Sequence, residues 1–304
     1  MIRKLIPAHP YAQIHISVFL WGFTALLGKL ISVGSMSIVW YRMLIASIGF
    51  LFLQGMFSRL KLLSKKDILI FTAIGCLVCI HWLCFYGAIK IYNNASLPLA
   101  CMGTSALFTA FIEPMIMKKA FKKNEFVIGL ISFIGIYFIY KANPSQGDEA
   151  LSAKYYLAMA VGLMGAFLAS LFTTLNKKIG DFYESDMMSF MEIGSGWVFL
   201  SILLLIMDPK VFLIIPTSQD FIYLFILSIF CTTYPFLMSL EALKKISAFT
   251  ANLSVNLEPV YGFILAGIIF KEHEQLNLYF YSGALIIMCS VLYPLVFGKR
   301  EESN

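Results

Sequence analysis

NLSVNLEPVYGFILAGIIFKEHE, residues 252–274, is an apolar run about long enough to cross a bilayer, yet it carries a carboxylate and a helix breaker, Glu258 and Pro259, near its middle. Apolar runs of about 18 or more residues read as membrane spans, because ~20 residues at ~1.5 Å rise cross the hydrocarbon core. An ionisable group at the bilayer centre costs at least ~2.5 kcal/mol on insertion scales, so Glu258 must face a cavity or a partner rather than lipid. Pro259 removes one backbone donor and its ring clashes with the carbonyl of Val255, which predicts a bend. A bend frees carbonyls that bind a solute or cation where they line a water-filled space. Asn252 and Asn256 add amides on the preceding turn, on one face with Pro259. Two readings of Glu258 stay open: it lines a wet cavity, the preferred one, or it pairs with a cation on a neighbouring helix.

Outward from this span the same composition continues. The chain is 60% apolar and 13% charged, where a soluble domain has about a quarter of its residues charged. Ten segments read as spans, near 11–33, 36–57, 67–89, 94–117, 126–140, 155–176, 187–207, 219–240, 248–270 and 276–297. The expected fold class is an all-α membrane protein of ten transmembrane helices. A transmembrane barrel would need strands of alternating polarity about ten residues long, and these runs are almost uniformly apolar. MIRKLIPAHP at the start resembles the charged region of a secretory signal, but the helix after it is too long and no small-residue cleavage site follows, so it reads as uncleaved. Cys76, Cys79, Cys84, Cys101, Cys231 and Cys289 all fall inside spans and read as apolar filler.

The net charge of +6 is spread over short connections rather than gathered on one surface, which argues against nucleic acid as a partner. With the N-terminus inside, the inner connections carry sixteen Lys and Arg, among them Arg3, Lys4, Arg59, Lys118, Lys119, Lys177, Lys244, Lys299 and Arg300. The outer connections carry five: Lys90, Lys141, Lys154, Lys210 and Lys271. This positive-inside bias places both termini in the cytoplasm, with the chain in the cell's inner membrane.

KANPSQGDEALSAK, residues 141–154, is the one stretch resembling an interdomain linker, and it divides the chain into 1–146 and 147–304 with five helices each. The stretch starting at Thr104 can be laid without gaps on the one starting at Glu258, and Gly129 then meets Gly283. Five is odd, so duplicated units must lie in the membrane head-up and head-down, an inverted repeat with substrate near the midplane. Whether Glu113 and Pro114 are the counterparts of Glu258 and Pro259 stays open, since that pairing needs a nine-residue gap.

The other in-span groups have competing readings. Glu113 reads as a solvated charge near the inner end of its span. Arg42, beside Trp40 and Tyr41, reads as an interfacial anchor, with a clamp for a substrate carboxylate as the lesser alternative. His81, Trp82 and Tyr86 form a polar and aromatic patch that suits a planar or cationic substrate, or else hold a satisfied core histidine. Trp21 and Lys29 face either a pore or the core, and Glu192 is a further in-span carboxylate. Tyr234, followed by Pro235, marks a second bend. Gly162, Ala166 and Ser170 form a small-residue packing stripe. No phosphate loop or paired catalytic carboxylates occur, no cofactor is implied, and no connection is long enough for a nucleotide-binding portion.

WGFTALLGK at 21–29, YRMLIA at 41–46, FYGAIKIYNNAS at 85–96 and above all 242–287 resemble the EamA-type carriers of the drug/metabolite transporter superfamily. That resemblance covers nearly the whole chain. It implies two inverted EamA repeats, cytoplasmic termini, a central cavity, and export or exchange of small metabolites. The basic elbow KKAFKK of the first repeat departs from the more acidic FKEHE of the second. The expected function is a secondary transporter of a small organic metabolite, an amino acid or related solute, with the third, fourth, eighth and ninth helices around its cavity. Glu258, Asn252, Asn256, His81, Trp82, Tyr86, Tyr234 and Trp21 are the candidate cavity residues, and Glu258 is the candidate for a coupling proton. The competing readings are an intramembrane enzyme acting on a lipid-linked substrate and a non-transporting scaffold. The candidate groups lie at scattered depths, which disfavours the first, and the short loops disfavour the second. Substrate identity, direction of transport and oligomeric state are left open.

Overall fold

A computed structural model of the protein describes residues 6–53, 56–142, 148–271 and 276–297. Arg3, Lys4, Lys299 and Arg300, the 143–147 part of the connection between halves, and 272–274 of the acidic elbow lie outside the described residues. Among the described residues the chain is helical and contains no strand. The helices are α1 Pro10–Trp21, α2 Thr24–Leu30, α3 Ser35–Leu51, α4 Met56–Leu60, α5 Lys65–Tyr92, α6 Ser96–Met102, α7 Ser105–Met117, α8 Lys123–Lys141, α9 Glu149–Ile179, α10 Ser185–Met207, α11 Ser218–Ser228, α12 Tyr234–Leu243, α13 Ala248–Val255, α14 Glu258–Phe270 and α15 Leu278–Phe297.

Among the described residues, eight helical stretches are long and apolar enough to cross a membrane: Pro10–Leu30, Lys65–Tyr92, Ser96–Met117, Lys123–Lys141, Glu149–Ile179, Ser185–Met207, Ser218–Leu243 and Ala248–Phe270. Shorter apolar helices, Ser35–Leu51 and Leu278–Ser290, occupy the segments expected near 36–57 and 276–297. Large apolar side chains such as Phe52, Met115, Ile206, Ile268 and Leu278 stand exposed. So much exposed apolar surface suits hydrocarbon as the solvent and makes this a multi-pass membrane protein.

Local chemistry sets where helices begin and end. Ser64 and Asp67 form a reciprocal capping box at the start of α5, and Thr217 and Asp220 form another at the start of α11. Four stretches are interrupted in mid-course: at Gly22 and Phe23, at Gly103 and Thr104, by a π turn over Ile229–Thr233, and at Asn256 and Leu257. The last break follows from Pro259, whose ring cannot stack on a continuous helix and which instead occupies the second position of α14.

Two of the stretches broken by turn residues, α6–α7 and α13–α14, pair in a defined way. Phe249 N–H donates to Glu113 at 2.7 Å, Asn252 Nδ2 donates to Thr109 at 2.7 Å, and Ser105 Oγ donates to Asn256 Oδ1 at 3.0 Å. A Cβ on Gly262 would fall 2.2 Å from Leu99. Each step forward along α13–α14 is matched by a step of about the same length backward along α6–α7, so the two stretches run antiparallel. Both α7 and α14 have 13 residues and stop on a lysine in the left-handed region, Lys118 at φ 53° and Lys271 at φ 54°. Matching break to break therefore sets Ser105, and not Glu113, in the place of Glu258.

Close helix contacts use glycine where any side chain would collide. A Cβ at Gly75 of α5 would lie 2.3 Å from the Glu192 carbonyl oxygen of α10, and one at Gly283 of α15 would lie 2.5 Å from the Gly135 oxygen of α8. The stripe on α9 faces α6 and α7. A Cβ on Gly162 would touch Cys101 at 3.1 Å, Ala166 is fully buried, and Ser170 Oγ donates to the Ser105 carbonyl at 2.7 Å.

Candidate functional site

Where the two antiparallel broken stretches meet α1, α3, α5, α9 and α12, the core leaves a cavity of about 90 Å³. Its polar wall is made by Thr24, Arg42, His81, Thr173, Asn176, Ser239, Asn252 and Glu258, and its apolar wall includes Trp21, Trp82, Phe85, Phe172 and Phe236. The expected helices contribute, and so do the first, second and sixth stretches. Toward one end the cavity reaches Ile14 in the second turn of α1, Asn176 in the last turn of α9 and Leu243 at the end of α12.

Glu258 is held at the wall by the break, which makes it the first residue of α14, where the helix dipole favours negative charge. Its carboxyl is buried, with a single hydrogen bond among the described residues, 3.4 Å from Thr24 Oγ1. The same hydroxyl proton has a shorter partner in the Trp21 carbonyl, at 2.7 Å. A hydroxyl has one proton to give, so Glu258 is left with little satisfaction from the protein.

Arg42 corrects the reading as an interfacial anchor, because it is 3% exposed and faces the cavity. Its Nε donates to Thr232 at 2.6 Å, one terminal nitrogen to Tyr86 at 2.8 Å and the other to the Cys231 carbonyl at 3.3 Å. The guanidinium carbon lies 3.8 Å from the Trp82 ring centroid. The π turn is what brings Cys231 and Thr232 within reach. The aromatic neighbours that suggested a membrane belt are half-buried, and Trp40 donates to Ser201 at 2.8 Å and contacts Trp197 and Phe212. Every partner of Arg42 is neutral, and among the described residues neither Arg42 nor Glu258 forms a salt bridge. A buried charge without a bonded counter-charge is expensive, and a ligand can supply that bond.

Five of the eight candidate residues line the cavity: Trp21, His81, Trp82, Asn252 and Glu258. His81 lies there while its Nδ1 is 2.8 Å from the Gly165 carbonyl oxygen. The other three do not. Tyr86 lies fully buried behind Arg42. Asn256 sits in the break, turned to Ser105, and its Nδ2 is buried without a hydrogen-bond partner among the described residues. Tyr234 is half-buried, and its position two residues before Phe236 puts it roughly 200° around α12 from the Phe236, Ser239, Leu240 and Leu243 face.

Two further expectations change. Glu113 is buried rather than solvated, because it caps α13 through the Ala248 and Phe249 N–H groups. Lys29 is off the cavity wall, with its ammonium 4.4 Å from the Phe270 ring centroid. The α9 wall of Thr173 and Asn176 was not singled out from sequence. Its signal is the polar recurrence of Ser170, Thr173, Thr174 and Asn176 in an otherwise apolar helix.

The sequence model of the EamA-like transporter family matches twice, over residues 11–141 and 156–295. An uncharacterized transporter of Clostridium kluyveri is 27% identical over 187 residues, a stretch covering 61% of this chain and 59% of that relative's own length. A solved structure described only as the crystal structure of a protein shares the fold, with a TM-score of 0.71 at 12% identity over 97% of this chain and 99% of its own.

Proposed function

Since this membrane protein belongs to the EamA-like transporter family, we propose that it is a secondary carrier which moves a small organic solute through the Arg42–Glu258 cavity by alternating access. The proposed architecture is ten spans in two inverted five-helix repeats, 1–146 and 147–304, in the inner membrane with both termini cytoplasmic. Support comes from the double family match on either side of the 141–154 connection, and from the antiparallel pairing of the fourth and ninth stretches. On this topology the cavity reaches the cytoplasmic end. The other end is fastened by Asp220, which accepts from Ser32 N–H at 2.7 Å and Ser32 Oγ at 2.6 Å, and by Lys90, which donates to the Ile31 carbonyl at 2.5 Å. That arrangement loads solute from the cytoplasm and fits export.

The observation that carries the reading is the pair of buried, opposite, mutually unbridged charges on one cavity wall. A solute with an anionic and a cationic end, such as an amino acid, would satisfy both, and an ammonium or a coupling proton would compete for Glu258. The test is transport by purified protein in liposomes across a panel of zwitterionic, anionic, cationic and neutral small solutes, with Arg42→Gln and Glu258→Gln beside wild type. Transport of a zwitterion that either variant abolishes is the expected result. Movement of neutral solutes alone, indifferent to both variants, would overturn it, and transport unchanged across pH in Glu258→Gln would remove proton coupling through that residue.

A further inference from the structure

Away from the two charges, a second buried pair has unfinished bonding. Glu192, two turns into α10, has no solvent exposure, and Asn176 on α9 is 1% exposed to bulk solvent while lining the cavity. Asn176 Nδ2 donates to Glu192 Oε2 at 3.0 Å. The remaining oxygens of the two groups, Glu192 Oε1 and Asn176 Oδ1, are buried and have no hydrogen-bond partner among the described residues. If Glu192 is a carboxylate, both are acceptors and no donor serves either. A proton on Oε1 changes the count, because a carboxylic acid and a primary amide complement each other as a ring of two hydrogen bonds. One proton thus answers both vacancies.

We propose that Glu192 and Asn176 form a proton-binding site, in which Glu192 takes a proton from water and shares it with the Asn176 amide oxygen. Among the described residues no salt bridge reaches Glu192. α5 meets α10 at Gly75 and Cys79, and α3 meets it at Met43 and Ser47, none of them charged. Arg59 of α4 is engaged by Asp186 and Glu184, and Glu241 of α12 accepts from Ser185 and pairs with Lys244. Lys177, next to Asn176, gives its ammonium to the Leu243 and Lys244 carbonyls. Two oxygens are also too few for a hard metal cation, which takes about six.

Asn176 belongs to both the pair and the cavity wall, and this joins proton to solute. An occupant that turns the Asn176 side chain toward itself draws both the amide N–H and the amide oxygen away from Glu192, opens the ring and frees the proton to leave. This coupling role rests on the transport reading, whereas the proton site does not.

Infrared difference spectra of the protein in liposomes, between acidic and alkaline buffers in water and in D₂O, test the site without any solute. Wild type is expected to show the C=O stretch of a protonated, deuterium-sensitive carboxyl. Glu192→Gln, which keeps the ring as an amide pair, removes that band while Glu258→Gln retains it. Asn176→Ala, which leaves the carboxyl in place, shifts the band to the frequency of a carboxyl without an amide partner. A spectrum from which Glu192→Gln removes no band, or in which Asn176→Ala leaves the band lost in Glu192→Gln at its wild-type frequency, overturns the proposal. A failed solute panel would not alter these spectra, so the two readings fall separately.

Discussion

Arg42 carries the cavity's positive charge through three hydrogen bonds and a stacked ring, and lysine offers neither the fork nor the flat face that this setting uses. Hydrogen bonds to charged groups contribute about 1.5–3 kcal/mol. Arg42→Gln should therefore weaken solute binding roughly 10- to 100-fold, and Arg42→Lys should recover little of it. Quenching of intrinsic tryptophan fluorescence, to which Trp82 under the guanidinium contributes, reads the affinity; full rescue by lysine would contradict the stacked geometry. Glu113 makes a different prediction. Glu113→Ala strips a cap from α13 and should destabilise by about 1 kcal/mol, seen as a lower melting temperature, while Glu113→Gln retains an acceptor and most of the stability. Sequence located Glu258 at a cavity because a carboxylate beside a helix breaker in mid-span is too costly to face lipid. It misplaced Arg42 and Glu113, since the polar groups that bury them come from helices about 190 and 135 residues away, and no local pattern reports such partners.

At the scale of elements, the long apolar stretches were legible from hydropathy, and the break at Asn256 and Leu257 from Pro259. The break at Gly103 and Thr104 was not, because no proline follows it; it is visible through its partnership with the other broken stretch. The π turn over Ile229–Thr233 lies just before the Tyr234–Pro235 bend expected from sequence, and its widened turn is what delivers Cys231 and Thr232 to Arg42. Helix spacing also yields a prediction. In Gly75→Ala the new methyl would meet the Glu192 carbonyl oxygen at 2.3 Å, so α5 and α10 must separate. Such overpacking costs typically 1–3 kcal/mol, which a thermal melt in detergent would register as a loss of several degrees. A melt indistinguishable from wild type would mean the two helices are not in that contact.

For the molecule as a whole, the proposed inverted arrangement would set Lys118 and Lys271, the left-handed stops of two 13-residue helices, on opposite sides of the membrane. A membrane-impermeant amine reagent applied to sealed vesicles of one orientation should label only one of them. Labelling of both from one side would exclude head-up and head-down halves. The pairing of the two broken stretches has a mechanical consequence. Phe249 with Glu113, Asn252 with Thr109 and Asn256 with Ser105 share one registry, like teeth on two racks. Slippage by a fraction of a turn would strand three buried polar pairs together. The bundle therefore rests with the teeth engaged, and the α6–α7 and α13–α14 stretches travel together as a single rigid strut.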